Sequence, residues 1–253
     1  MKPLKLFLFR SKLIRTFCIT GFGVMTFALN SCTSYIYSPA IQLSEKQLVK
    51  GEVDMKAGFG KLPETKIATP YSRYGGVVNI GYGFSRDINF YASGWSDLTT
   101  KTLLYRGGLA VSSRIRLWEK GNTQVLLYPR ISILRNNGKS FDAMGFELPL
   151  IYITPVSSLV YTYFGVGAAY GNRQLLTDNA RRDEELYAVI GHLGMGFKPF
   201  DNFRIMLELN PICQFNKYDE RTNFILSPTI SIGYILNSVA NRGKFDDQRF
   251  GPK

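Results

Sequence analysis

The sequence predicts an all-β protein, an up-and-down antiparallel transmembrane β-barrel of about ten strands. Three observations point there. Ten successive segments alternate apolar and polar residues with period two, and none sustains a helical period. Glycine collects on the polar face of those segments. The connections between them are alternately long and short.

The chain opens with residues 1–31, where Lys2, Lys5, Arg10, Lys12 and Arg15 stand without an acidic residue ahead of the apolar run FCITGFGVMTFAL at 17–29. A membrane-spanning helix needs about 20 apolar residues, so this run has the layout of a secretion signal, removed from the mature chain. Removing 1–31 takes five of the 31 basic residues and none of the 19 acidic ones, which leaves 26 against 19, or +7. That charge is scattered without Lys/Arg runs, which argues against nucleic-acid binding. The three cysteines, Cys18, Cys32 and Cys213, allow no disulfide framework and no metal spacing.

The run ends at Leu29-Asn30-Ser31-Cys32, which resembles the lipobox of bacterial lipoproteins. The resemblance implies that the chain is cut before Cys32, that its sulfur carries diacylglycerol, and that the new amine carries an acyl chain such as palmitate. Thr33, in place of an acidic residue after the cysteine, is what that family pattern allows for passage to the outer membrane. Two or three acyl chains hold a protein durably on a membrane, where one binds only marginally. No other cofactor is implied.

Residues 32–51 then read as a polar periplasmic tether and 52–236 as the barrel. The segments are 52–60, 74–85, 88–95, 102–118, 123–135, 145–153, 159–170, 186–198, 203–215 and 224–236. In the fourth, Leu103, Tyr105, Leu109, Val111, Ile115 and Leu117 alternate with Arg106, Gly108, Ala110, Ser112, Arg114 and Arg116. Pro129, Pro149, Pro211 and Pro228 fall inside these segments and each removes a ladder donor, so eight or twelve strands are also compatible. A polar tail, 237–253, follows.

Alternation alone fits a soluble lipocalin-like barrel turned inside out. The polar face, however, carries Gly81, Gly83, Gly108, Gly145, Gly165, Gly167, Gly194, Gly196 and Gly233 with arginines and almost no lysine. Small residues between arginines suit a crowded concave lumen rather than a solvated exterior. The connections at 61–73, 96–101, 136–144, 171–185 and 216–222 are long, and those at 86–87, 119–122, 154–158 and 199–202 are short. Long loops at one end and tight turns at the other are the pattern of an outer-membrane barrel, with both chain ends on the short-turn, periplasmic side. Signal, lipobox and barrel together resemble the small OmpX- and OmpW-like outer-membrane group. The stretch YSPAIQLSEKQLVKGEVDMKAGFG, with Lys50, Gly51 and Glu52, resembles the opening of uncharacterised barrel lipoproteins.

Among inward polar positions, Glu52, Asp54, Arg114, Arg116 and Arg204 thread toward the periplasmic end and, with Glu208, are the candidate lumen network. Mutual neutralisation is the expectation for charges in so narrow a space. An arginine-lined channel is the sharper alternative. His192, the single histidine, falls mid-strand on the lumen face, where a structural hydrogen bond is expected. No Ser-His-Asp set, no metal site and no P-loop lysine after GVGAAYG at 165–171 point to an enzyme. The expectation is a lipid-anchored cell-envelope barrel with a structural or surface-interaction role. Its partners would be outer-membrane lipid and a protein met outside the cell or in the periplasm. The alternatives are a narrow solute channel and a soluble periplasmic carrier of an apolar ligand.

Overall fold

A computed structural model of the chain describes residues 41–45, 47–61, 74–98, 107–135, 143–177, 180–217 and 222–236. The signal, Cys32, Arg106 and the 237–253 tail lie outside the described residues. Every regular element is a strand: β1 Val53–Lys61, β2 Tyr74–Gly83, β3 Ile88–Asp97, β4 Gly107–Lys120, β5 Thr123–Leu127, β6 Arg130–Arg135, β7 Ala143–Pro155, β8 Val160–Thr177, β9 Ala180–Phe200, β10 Phe203–Asn216 and β11 Thr222–Leu236.

Consecutive strands pair antiparallel, β5 and β6 excepted, and β1 closes on β11 in the register Val53↔Leu236 to Gly60↔Thr229. β5 and β6 both pair with β4 and β7, so they are two halves of one stave broken at Tyr128-Pro129. The result is a closed barrel of ten staves. Pro129, which has no N–H to give, accounts for the break. Pro149 and Pro228 stay within their strands, and Pro211 sits where the β9–β10 ladder lacks pairs at Asn210 and Pro211.

The alternation resolves in one direction. On β4, Leu109 and Val111 are 53% and 61% exposed while Arg114 is 0%. The same holds around the wall: Val78, Ile80, Leu148, Phe164, Val166, Leu207, Ile230 and Ile232 face out, whereas Asp54, Asn79, Ser93, Arg130, Glu147, Glu208 and Ser231 are buried. This excludes the soluble carrier with an apolar interior. Aromatic residues pair outside near both rims. Phe59 stacks on Tyr74 at 5.6 Å and Tyr170 meets Tyr187 at 5.2 Å toward the long-loop end, and Phe84 meets Phe90 at 5.5 Å toward the other.

Glycine is required where inward aromatic rings lie flat on the wall. A Cβ at Gly194 or Gly196 would overlap the ring of Tyr163 or Tyr161.

Two boundaries differ from the sequence reading. The connection expected at 171–185 is mostly paired strand, since β8 and β9 hold register to Thr177↔Ala180. Backbone pairing continues there although the apolar face has ended, which is why composition reads it as loop. The second difference is larger: of the expected tether, residues 41–45 and 47–48 lie inside the barrel. Ile41, Gln42, Leu43, Ser44 and Leu48 are at most 1% exposed.

Candidate functional site

The filled lumen is the candidate site, and it has three layers. At the short-turn mouth the internal segment leaves the barrel and joins β1 through a turn at Gly51, whose φ of 87° is open to glycine at little cost. Gly51 N–H donates to the Gly83 carbonyl and Glu52 N–H to the Val49 carbonyl, both at 2.9 Å, while Glu52 accepts from Val49 N–H at 2.9 Å. Higher up, Asn89 holds Leu48 from both sides, accepting from its N–H and donating to its carbonyl at 3.0 Å.

Above that turn, wall charges clasp the segment. Arg204 donates from Nε and Nη2 to the two oxygens of Glu45 at 2.7 and 2.5 Å, a bidentate pair with Lys198 at 4.0 Å. Burial works against the charge of Glu45, yet the Arg204 guanidinium holds its carboxyl below the usual carboxylate range. Arg114 donates to the Ser44 carbonyl at 2.9 Å and to Gln124 Oε1 at 3.0 Å. Ser44 Oγ donates to Asp54, which also pairs with Lys56 at 2.6 Å, and Tyr161 OH donates to the Leu43 carbonyl at 2.9 Å.

In the middle layer, Glu208 accepts the N–H groups of Ile41 and Gln42 at 2.9 and 2.8 Å and the hydroxyl of Tyr163 at 2.9 Å. Asn79 donates to the Ile41 carbonyl at 3.2 Å. Beside it, the His192 ring bridges Glu147 Oε1 at 2.8 Å and Asn210 Oδ1 at 2.9 Å, with Arg130 behind Glu147 at 3.4 Å. Such a set suits a buried location because each charge meets an opposite one and hydrogen bonds besides.

The six residues expected in one network are thus distributed. Asp54, Arg114, Arg204 and Glu208 all face the lumen and touch the internal segment or its partners. Glu52 serves the turn at the mouth. Arg116 departs from expectation: it sits at the rim with Asp87 and Glu119, each at 2.5 Å, because the β3–β4 ladder ends one residue earlier at Ile88↔Ile115 and the β4–β5 register shifts between Arg116 and Trp118. Lys56 and Glu147, inward by the period-two reading, are buried in the lumen as that reading expects; Glu45, Asn89 and Tyr163 were not in the expected set, and only the tertiary path of the internal segment reveals the role of Glu45. His192 takes the structural hydrogen bonds expected of it. Among the described residues no group of His, Cys, Asp and Glu could hold a metal. Below the layers, a vestibule of about 1020 Å3 opens at the short-turn mouth, lined by Glu45, Lys50, Arg116, Glu119, Tyr161 and Lys198.

These features define a class: a closed antiparallel barrel with an apolar exterior and an interior filled by ion pairs and by its own N-terminal segment. Solved barrels resemble it at low score. The N-terminal β-barrel domain of Pseudomonas aeruginosa OprF gives a TM-score of 0.36 at 15% identity, covering 74% of this chain and 98% of that one. The attachment invasion locus protein Ail of Yersinia pestis gives 0.34 at 14%, covering 74% and 100%. The KdgM porin gives 0.39 at 8%, covering 74% and 99%. No protein-family model matches the chain, and no curated protein does.

Proposed function

We propose that the chain is an outer-membrane barrel, anchored by acyl chains on Cys32, whose role is structural or surface-interactive rather than conductive or catalytic. The observation that carries this reading is the pairing of an apolar exterior with a lumen blocked by residues 41–48. A belt of exposed Leu, Ile, Val and Phe on every stave is stable against hydrocarbon and a liability in water. A lumen in which Ile41, Gln42, Leu43 and Ser44 are at most 1% exposed leaves no aqueous path past them. His192 has both ring nitrogens engaged and is 2% exposed, which supports a structural role over an acid-base one. Contact with a partner then falls to the long connections at one end.

The test is planar-bilayer conductance of the purified mature protein. The expected result is no discrete steps from the intact chain, with steps appearing on deletion of residues 41–48. Discrete conductance from the intact chain would favour a channel. Metabolic palmitate labelling lost in Cys32→Ala, and heat-modifiable migration in outer-membrane fractions, test the anchor and the membrane placement separately.

A further inference from the structure

The short-turn mouth carries more than the turn at Gly51. Three of its four tight connections, at Arg86, at Gly121-Asn122 and at Pro155 to Leu159, line the vestibule of about 1020 Å3 together with residues 47–50 and Lys198. That volume is at the top of the range of about 300–1,000 Å3 in which proteins hold small ligands. Its charged lining among the described residues is four cations, Lys50, Arg86, Arg116 and Lys198, against two carboxylates, Glu45 and Glu119. Both carboxylates are engaged: Glu45 by the Arg204 fork, Glu119 by Arg116 and by Gln124 Nε2 at 3.0 Å.

Three of the cations are less engaged. Lys198 Nζ stands 4.0 Å from Glu45 and 3.6 Å from Asp201, both beyond hydrogen-bond length, so its three donors are not taken up there. Lys50 and Arg86 are exposed and form no ion pair among the described residues. Their two turns are held together where Gly51 N–H donates to the Gly83 carbonyl at 2.9 Å. Lys198 is near the end of β9, which the strand order sets almost opposite the β2–β3 turn. One acceptor is open as well. Gln47 lines the cavity at 8% exposed; its Nε2 donates to the Arg114 carbonyl at 3.3 Å, and its Oε1 has no partner among the described residues. A buried amide oxygen calls for an N–H or O–H donor.

We propose that the vestibule binds a short acidic peptide, with carboxylates on Lys50 and Arg86 at one side and on Lys198 at the other, and a backbone N–H on Gln47 Oε1. A single small anion would satisfy one side only. Ten staves about 4.8 Å apart and tilted by about 40° enclose a mouth roughly 20 Å across the backbone, and long side chains from both sides narrow that gap. Carboxylates two positions apart on an extended chain stand about 7 Å apart, so a peptide carrying two of them reaches both sides. The same chain supplies the N–H that Gln47 lacks. The internal segment forms the floor, with Leu48 1% exposed, so the peptide docks at this mouth and does not pass through. Resting on the outer-membrane placement proposed above, the site opens to the periplasm and is separate from the long connections at the other end.

The test uses the full mature chain in nanodiscs, which leave both mouths open to solution. The probe is a fluorescent acetylated pentapeptide with glutamate at its second and fourth positions, followed by polarisation. Saturable binding that weakens with salt is expected. The counterpart with glutamine at both positions should bind about tenfold more weakly, and the double variant Lys50→Gln with Arg86→Gln should lose about the same factor. Lys198→Gln, and N-methylation of the probe's backbone, should each weaken binding about threefold. Heat-modifiable migration shows that each variant has folded. No binding, equal affinity for the glutamine counterpart, or unchanged affinity in the folded cation variants overturns the proposal. Inorganic phosphate that displaces the probe as well as unlabelled peptide does, or indifference to N-methylation, overturns it too, since either makes the vestibule a site for small anions. Binding seen only after removal of residues 237–253 would make that tail the occupant and also overturn it. The barrel's placement is read separately: probe captured by intact cells moves this mouth to the cell surface and leaves the peptide site standing. A barrel that neither binds the probe nor conducts loses the peptide site alone.

Discussion

The carboxylate of Glu208 accepts the backbone N–H of Ile41 at 2.9 Å, although 167 positions separate the two in the chain. Its other oxygen takes the next N–H, that of Gln42. Two donors from one stretch of chain and one from Tyr163 thus converge on a single charge. The segment is tied to the wall at its deepest described point.

Glu208→Gln should loosen that tie. A hydrogen bond to a charged group contributes about 1.5–3 kcal/mol. Glutamine keeps the shape but loses the charge, and whichever way it turns, its NH2 faces a backbone N–H, of Ile41 or Gln42, that can only donate. A loss of about 3 kcal/mol is expected, read as a lower temperature for the heat-modifiable gel shift. Amide exchange at Ile41 and Gln42 should rise at the same time, while that of the β1–β11 seam holds.

Acid should loosen the Glu45–Arg204 clasp. Its carboxyl is held below the usual range by Arg204, so the folded form binds its proton less readily than the unfolded one. The stabilisation is therefore complete above the unfolded carboxylate value and fades as pH falls through the lower, folded one. Protease susceptibility of 41–50 should increase on acidification below about pH 4. In Glu45→Gln the susceptibility should be higher at neutral pH and flat through the same range. An unchanged acid response in that variant would assign it to another carboxylate.

The staves were legible because alternation, glycine placement and turn spacing are local signals. The orientation was legible too, since Gly194 and Gly196 sit on the face that carries His192 and must lie under rings if that face is concave. The internal segment left no such mark. IQLSEKQLVK has the composition of a solvated tether, and its polar groups find partners only on residues far along the chain, such as Arg114, Arg204 and Glu208. No pattern within 41–50 encodes those distances. Arg116 shows the same limit from the other side: its alternation with Arg114 is regular, but the end of the β3–β4 ladder and the register shift beside it take it to the rim.

Gly194→Ala should impair assembly, because the added methyl takes space held by the Tyr163 ring. Overpacking of this kind costs about 1–3 kcal/mol. Tyr163→Ala alone also loses the hydroxyl bond to Glu208. In the double variant the clash is gone, so the combined loss should be smaller than the sum of the two single losses. Additive losses in heat-modifiability midpoints would mean that ring and glycine do not share that space.

His192 offers the sharpest distinction between a scaffold and a site. Its ring spans Glu147 and Asn210 with Arg130 on the far side of Glu147, all buried. His192→Phe keeps the bulk but leaves Glu147 short of one of its two partners. Removing one member of a buried charged set costs about 3–5 kcal/mol, whereas replacing the set by apolar residues of similar volume is often neutral. His192→Phe should therefore lower the unfolding midpoint strongly, and adding Glu147→Leu with Arg130→Met should recover most of it. A ring retained for chemistry would behave differently: the triple variant would refold and migrate normally, yet lose whatever activity the native barrel shows. Recovery of stability together with unchanged surface reactivity and a closed lumen assigns the cluster to packing. The barrel then keeps its interior charges because each has a partner.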